Sequence, residues 1–158
     1  MIAEAGLKLG APITTEDLKN AAERLSQTGA FKDVEFKYAF STQGMKAEFS
    51  VVDADQFVRA RFDNFVWLSP KDLAAKLHEE VPLFSGDVPV RGGLPDEISN
   101  AMRRLLTQAG AQGDVSYQLS GTVQEPEMEM IFKVEGVRID VRSMHFPGAA
   151  PDVGPLLE

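Results

Sequence analysis

The chain has no cysteine, so it can form no disulfide and offers no thiolate as a nucleophile or metal ligand. Lack of bridges fits an oxidising compartment as well as a reducing one, so it does not assign a compartment. Histidine is scarce, with two residues in 158. His78 stands beside Glu79 and Glu80, and neither acid lies three or four residues from it, as ligands on one helical face would. A solvated helix end accounts for it. His145 precedes Phe146 with no carboxylate or nucleophile motif nearby, so packing or exposure accounts for it. Basic residues are outnumbered 16 to 24, and the net charge of −8 argues against a phosphate-binding surface and thus against nucleic acid. The one basic pair, Arg103-Arg104, reads as a solvated helix face. Gly92-Gly93 before a helix start lacks both the Lys-Ser/Thr of a P-loop and the spaced glycines of a dinucleotide fold. No run approaches the roughly 20 apolar residues of a membrane helix, and Met1–Gly10 is too short and acidic for a signal peptide. No catalytic, cofactor-binding or metal-ligating group is assigned, and the chain does not read as an enzyme.

What is present is a repeated grammar. Ile98, Met102, Leu105 and Leu106 lie at helical spacing, Gly110 closes the helix, and Asp114-Val115 opens an alternating strand. Earlier, Leu18, Ala22 and Leu25 share a helical face, Gly29 follows, and Asp33-Val34 opens another strand. The two helices align at an offset of about 80 residues with one extra residue before the second glycine, which points to an internal repeat.

The first helix is predicted from a threonine cap at Thr14 or Thr15 to about Thr28, with Glu16 and Asp17 at its positive end. Val34–Phe40 and Met45–Val51 then alternate about the short turn Ser41–Gly44. Asp53-Ala54-Asp55 is a polar break. Phe57–Phe65 reads as a strand with Val58, Ala60 and Phe62 on one face. Ser69 and Pro70 start a helix with Leu73 and Leu77 inward, ended by Pro82. Leu83–Gly93 is predicted to be an irregular loop. Pro95 opens the main helix, Val115–Leu119 follows as a strand, Thr122–Pro126 turns, and Met128, Met130, Phe132 and Val134 form the inner face of the last strand of the unit. A further strand is predicted at Val137–Phe146, where Phe146 stands 81 residues after Phe65.

The predicted organisation is a partial unit over 1–54 without its first strand, a complete β-α-α-β-β unit over 55–136, and the first strand of a following unit with a tail over 137–158. The fold class is α+β, built of tandem β-α-α-β-β units, and the fragment reads as cut from an array out of phase with its repeat.

Such units in tandem resemble the POTRA (polypeptide-transport-associated) domains of outer-membrane assembly and secretion barrels. The residues that carry the likeness are the junction Leu25-Ser-Gln-Thr-Gly29-Ala-Phe31-Lys-Asp33-Val34, the hairpin closing on Phe49-Ser-Val51, and the approach Gly10-Ala-Pro-Ile-Thr-Thr-Glu-Asp-Leu18. The second junction, Gly110-Ala-Gln-Gly113-Asp114-Val115, departs from the pattern by lacking the phenylalanine. The resemblance implies two helices on one face of a three-stranded mixed sheet, with the last hairpin strand between the other two. It also implies a non-enzymatic periplasmic domain of an outer-membrane-anchored parent. Its partners would be unfolded outer-membrane proteins or secreted polypeptides, and accessory assembly proteins. No cofactor is implied.

In that topology the first hairpin strand lies at a sheet edge, where an extended peptide can add through main-chain hydrogen bonds. The candidate peptide-binding residues are Val34, Phe36 and Tyr38 in the first unit and Val115, Tyr117 and Leu119 in the second. The plainer reading is an edge blunted by charge, which Glu35 and Lys37 could supply. A strand-swapped oligomer is a further expectation, with Val137–Phe146 completing the partial unit of a neighbour. The competing function is a structural interaction domain of another envelope complex, such as cell division, and tandem copies weigh against it.

Overall fold

The computed structural model describes residues 5–8, 10–42, 44–121 and 128–137. The predicted turn at Thr122–Pro126, most of the predicted strand Val137–Phe146, and His145 lie outside them.

The chain first forms helix α1 (Thr15–Gln27). Thr14 caps it with a reciprocal box: its hydroxyl accepts from the Asp17 amide, and its own amide donates to the Asp17 carboxylate. Leu18, Ala21 and Leu25 are buried, so the inner face passes through Ala21 rather than the expected Ala22. Strands β1 (Phe31–Ser41) and β2 (Gly44–Asp53) form an antiparallel hairpin beneath it, with a register irregularity between Phe31 and Asp33. Ala5, Ala21 and Leu25 form the small core here, with Leu7, Phe31, Val34 and Phe49 packed against it.

Strand β3 (Phe57–Asp63) begins the second unit, followed by helix α2 (Pro70–Glu80), a short strand β4 (Asp87–Pro89), helix α3 (Leu94–Gln108), and strands β5 (Asp114–Ser120) and β6 (Glu129–Glu135). Their sheet runs β4-β3-β6-β5; β3 and β6 are parallel and the other pairs antiparallel. β6 therefore lies between β3 and β5, as the resemblance implies. The core gathers Leu73 and Leu77 of α2, Ile98, Met102 and Leu106 of α3, and Phe132 of β6.

One segment corrects the sequence reading. Within the stretch expected to be irregular, Asp87–Pro89 pairs with Phe57–Arg59, so the sheet has four strands rather than three. Its Pro and Gly neighbours mask it, but Val88 is wholly buried. Pro89 lacks an N–H, which is tolerated because β4 is an edge strand.

The repeat is also more regular than expected. Gly29 and Gly110, Val34 and Val115, and Leu25 and Leu106 each stand 81 apart. At this single offset Ala21 falls on Met102 and Leu18 on Ser99, all of them buried. No extra residue is needed.

The two units meet helix to helix. The amides of Gly93 and Leu94, which open α3, donate to the carbonyls of Gln27 and Thr28, which end α1 (2.9 and 3.0 Å). α3 has no side-chain cap because the other helix caps it. The negative end of one helix thereby faces the positive end of the next. Gly29 (φ +76°) and Gly92 (φ +105°) lie backbone against backbone, and a Cβ on either would overlap the other strand of the contact.

Candidate functional site

Each hairpin leaves its outer strand without a neighbour among the described residues: β1 in the first sheet and β5 in the second. An antiparallel ladder turns the main-chain groups of alternate residues toward the partner strand and of the residues between them outward. On β5 the sense is set by Val115. Its N–H donates to Asp114 Oδ1 (2.8 Å) and its carbonyl accepts from Arg103 Nη2 (2.7 Å), so both groups face away from β6. Tyr117 and Leu119 follow at the same parity. On the first hairpin the Ala54 amide donates to the Ala30 carbonyl (2.9 Å). Counting back along β2 makes the even residues face β1, through Ser50 with Glu35 and Glu48 with Lys37. Val34, Phe36 and Tyr38 therefore turn their main-chain groups outward. All six residues named from the sequence turn their main chain away from the hairpin partner, and at Val115 both groups are taken by Arg103 and Asp114.

Their side chains differ. Val115 is buried (2% exposed) against the core, while Tyr117 and Leu119 are partly open (37% and 38%). Tyr38 is open at 44%, and Val34 and Phe36 are half-buried. Phe36, Tyr38 and Phe40 form a row of ring contacts (centroids 6.4 and 5.7 Å) that ends at Phe40, 76% exposed. Glu35 and Lys37 lie on the opposite face from this row.

The edge of β5 carries a clasp that sequence reading missed. Arg103, on the helix face read as solvated, stays 41% exposed and also bonds Asp114 (2.6 Å), Asn100 (2.8 Å) and the Val115 carbonyl. Arg104 likewise ties α3 to α2 through Glu80 (2.7 Å). The guanidinium beside Asp114, with the Val115 amide, holds that carboxyl below the usual aspartate range. The signal available in sequence was the 11-residue spacing of Arg103 and Asp114 across a tight helix-to-strand junction. Tyr117 is anchored as well. Its hydroxyl donates to Asp96 Oδ1 (2.9 Å), and partial burial followed by that acid raises its pKa above the ordinary tyrosine value. The N-terminal half of β5 is thus closed by side chains, and its open part is Tyr117 to Leu119.

His78 Nδ1 donates to the Phe84 carbonyl (2.7 Å), fixing the loop after α2. Among the described residues no cluster of three or more His, Asp or Glu could hold a metal, and no helix is long and apolar enough to cross a membrane.

No protein-family model matches the chain, and no curated protein matches it. Solved structures do. Tandem POTRA domains are what it is similar to. The structure described as POTRA1-2 of the periplasmic domain of Omp85 from Anabaena is 17% identical with a TM-score of 0.36; the match covers 87% of this chain and 83% of that one. The N-terminal domain of Omp85 from Thermosynechococcus elongatus is 14% identical with a TM-score of 0.33, over 84% of this chain and 53% of that one.

Proposed function

We propose that the chain is a tandem POTRA-type module of the periplasmic part of an outer-membrane assembly or secretion protein, which receives extended polypeptide segments along β5 and β1. The observation that carries this reading is the outward-turned main chain of Tyr117 and Leu119 beside partly open apolar side chains. Such an edge bonds any extended chain through its backbone and asks of its sequence only alternation. Unfolded barrel strands alternate in that way. The β-α-α-β-β order, to which β4 adds a short edge strand between the helices, supports the same reading with its parallel pair at the centre of the sheet and its closing hairpin. Accessory assembly proteins are the second class of partner, and no cofactor enters.

The test is an NMR titration of the chain with a peptide copied from an outer-membrane barrel strand. Amide shifts are expected at Tyr117 and Leu119, or at Val34, Phe36 and Tyr38. Leu119→Pro deletes one outward N–H without removing a ladder bond, and should weaken binding at β5 while the fold persists. Shifts confined to α2 and α3, or full binding by the proline variant together with silence at β1, would refute the edge reading.

A further inference from the structure

We infer that α3 orients the segment that β5 receives: Asp96 and Arg103 select an antiparallel strand with a basic side chain facing Leu119 and, four residues later, an acidic side chain facing Val115. This selectivity presupposes that β5 is a receiving edge, as proposed above, and decides which segments it takes and which way round they lie.

Asp96, Asn100 and Arg103 recur four and three residues apart, so they share one face of α3. That face runs along the outer side of β5. Arg103 reaches the Val115 carbonyl, which points away from β6, Asn100 Oδ1 accepts from Arg103, and Asp96 accepts from the Tyr117 hydroxyl. A strand added to β5 would therefore lie beneath a charged rail, cationic at the Val115 end and anionic toward Leu119. The spans agree. The seven residues from Asp96 to Arg103 advance about 10 Å along the helix, and the four from Val115 to Leu119 about 13 Å along the strand. A long cationic side chain bridges that difference. Neither charge is used up. Arg103 has five N–H groups, of which its bonds to Asp114, Asn100 and Val115 take three, and its side chain stays 41% exposed. Asp96 is exposed and takes the hydroxyl on Oδ1, one of its two oxygens.

The clasp also sets the direction. In an antiparallel pair one incoming residue takes both main-chain groups of Leu119, and the second residue after it takes both groups of Tyr117. Two complete rungs form, and the closed Val115 is left out. In a parallel pair the incoming residue beside Ser116 would accept from the Tyr117 amide and would need the Val115 carbonyl for its own amide. That carbonyl already accepts from Arg103, so an amide would compete for it or go unpaired within the ladder. Antiparallel addition instead ends beside the guanidinium, with a side chain on the same face as Val115. The first unit lacks this arrangement. At the 81-residue offset Thr15, Lys19 and Ala22 stand where α3 has Asp96, Asn100 and Arg103, and Phe36 stands for Tyr117. Along β1 there is thus no cation at the clasp position and no acid at the far end, which makes β1 a control within the same chain.

Two peptides of one composition, capped at both ends, are compared in NMR titrations of the full chain. One carries the core Lys-Thr-Val-Thr-Glu and the other its reverse, Glu-Thr-Val-Thr-Lys, between the same alternating flanks. The first should shift Tyr117 and Leu119 and bind β5 several-fold tighter, up to roughly tenfold, through two opposite-charge pairs. A spin label at its N-terminus should broaden Leu119 rather than Val115. At β1 the two peptides should bind alike. Asp96→Asn combined with Arg103→Gln should make them alike at β5 too, with amide shifts outside α3 and β5 unchanged as the check on folding. Equal binding at β5 in the parent would overturn the inference and leave the receiving edge standing. So would a label that broadens Val115, since the strand would then lie parallel. So would an order preference that is as strong at β1 or survives the double variant, because the rail would not be its source. Absence of binding at both edges would remove the receiving edge itself, and the selectivity with it.

Discussion

Gly29 and Gly92 make contact through atoms that every residue possesses, and what they contribute is the lack of anything more. Both sit at positive φ and each occupies the space a Cβ of the other would need. Gly29→Ala should therefore cost about 1–2 kcal/mol from the left-handed backbone alone, and more from the overlap with the Arg91 carbonyl, lowering the melting temperature in calorimetry. Gly110 has the same backbone, φ +75°, but open space around it, so Gly110→Ala should show the backbone cost only. The difference between the two variants measures the contact. Tyr117 offers a second test at this scale. Losing its bond to Asp96 in Tyr117→Phe should cost about 0.5 kcal/mol, the low end for a hydrogen bond, because the ring is 37% exposed. Its hydroxyl pKa is raised in the folded state, so the protonated form is the stabilised one. That stabilisation is complete below the ordinary tyrosine pKa and is lost as the pH climbs through the folded value. The stability difference between Tyr117→Phe and the parent should shrink in strongly alkaline solution.

Among the elements, β5 is the one whose edge is partly closed by its own domain. Arg103 occupies the Val115 carbonyl and pairs with Asp114, so a peptide adding along β5 meets a clasp at one end. Arg103→Ala should extend peptide-induced amide shifts from Tyr117 back to Val115. In the same variant Asp114 should titrate at a higher pH in an NMR titration, since its depressed pKa comes first from that guanidinium. The sign for the parent is the reverse of the tyrosine case: the clasp is intact above the ordinary aspartate range and loosens as the pH falls through the lowered folded value. Elements of this kind were unevenly legible. The helices declared themselves through Thr14, Ser69 and Pro70, residues whose chemistry acts on the next few amides. β4 did not, because a three-residue strand is too short for periodicity and stands among Gly86, Pro89 and Gly92. The candidate edges were legible as alternating stretches, yet the parity of their main chain depends on the hairpin registers, which show only in contacts such as Arg103 with the Val115 carbonyl and Ala54 with Ala30. The arginine pair looked solvated for the same reason, since Glu80 and Asp114 approach only once α2, α3 and β5 are packed.

At the scale of the whole molecule, two small units are joined by more than the polar break at Asp53-Ala54-Asp55. Lys32 pairs with Asp55 (2.7 Å) across it, and the helix ends bond directly. Small domains on a short linker ordinarily move against each other, but this pair should hold one orientation. Residual dipolar couplings from the two units should fit a single alignment tensor in the parent and need two in Gly92→Ala. Separate tensors in the parent would contradict the joint. The repeat itself was readable from the glycines and the alternation, whereas the joint was not: it is made by the carbonyls of residues 27 and 28 and the amides of residues 93 and 94, groups that a sequence does not distinguish.

Because Gly110 repeats Gly29 in place and backbone angle, the joint is an operation that can be applied again. One rotation and one shift relate α1 and its hairpin to α3 and its hairpin, which share a register, and iterating any such step generates a screw. A chain that reused the α1-to-α3 contact at each successive unit would coil with a constant pitch and a constant hand. Its helix ends would be threaded in series along the coil, and each open strand edge would return at a regular angle around it.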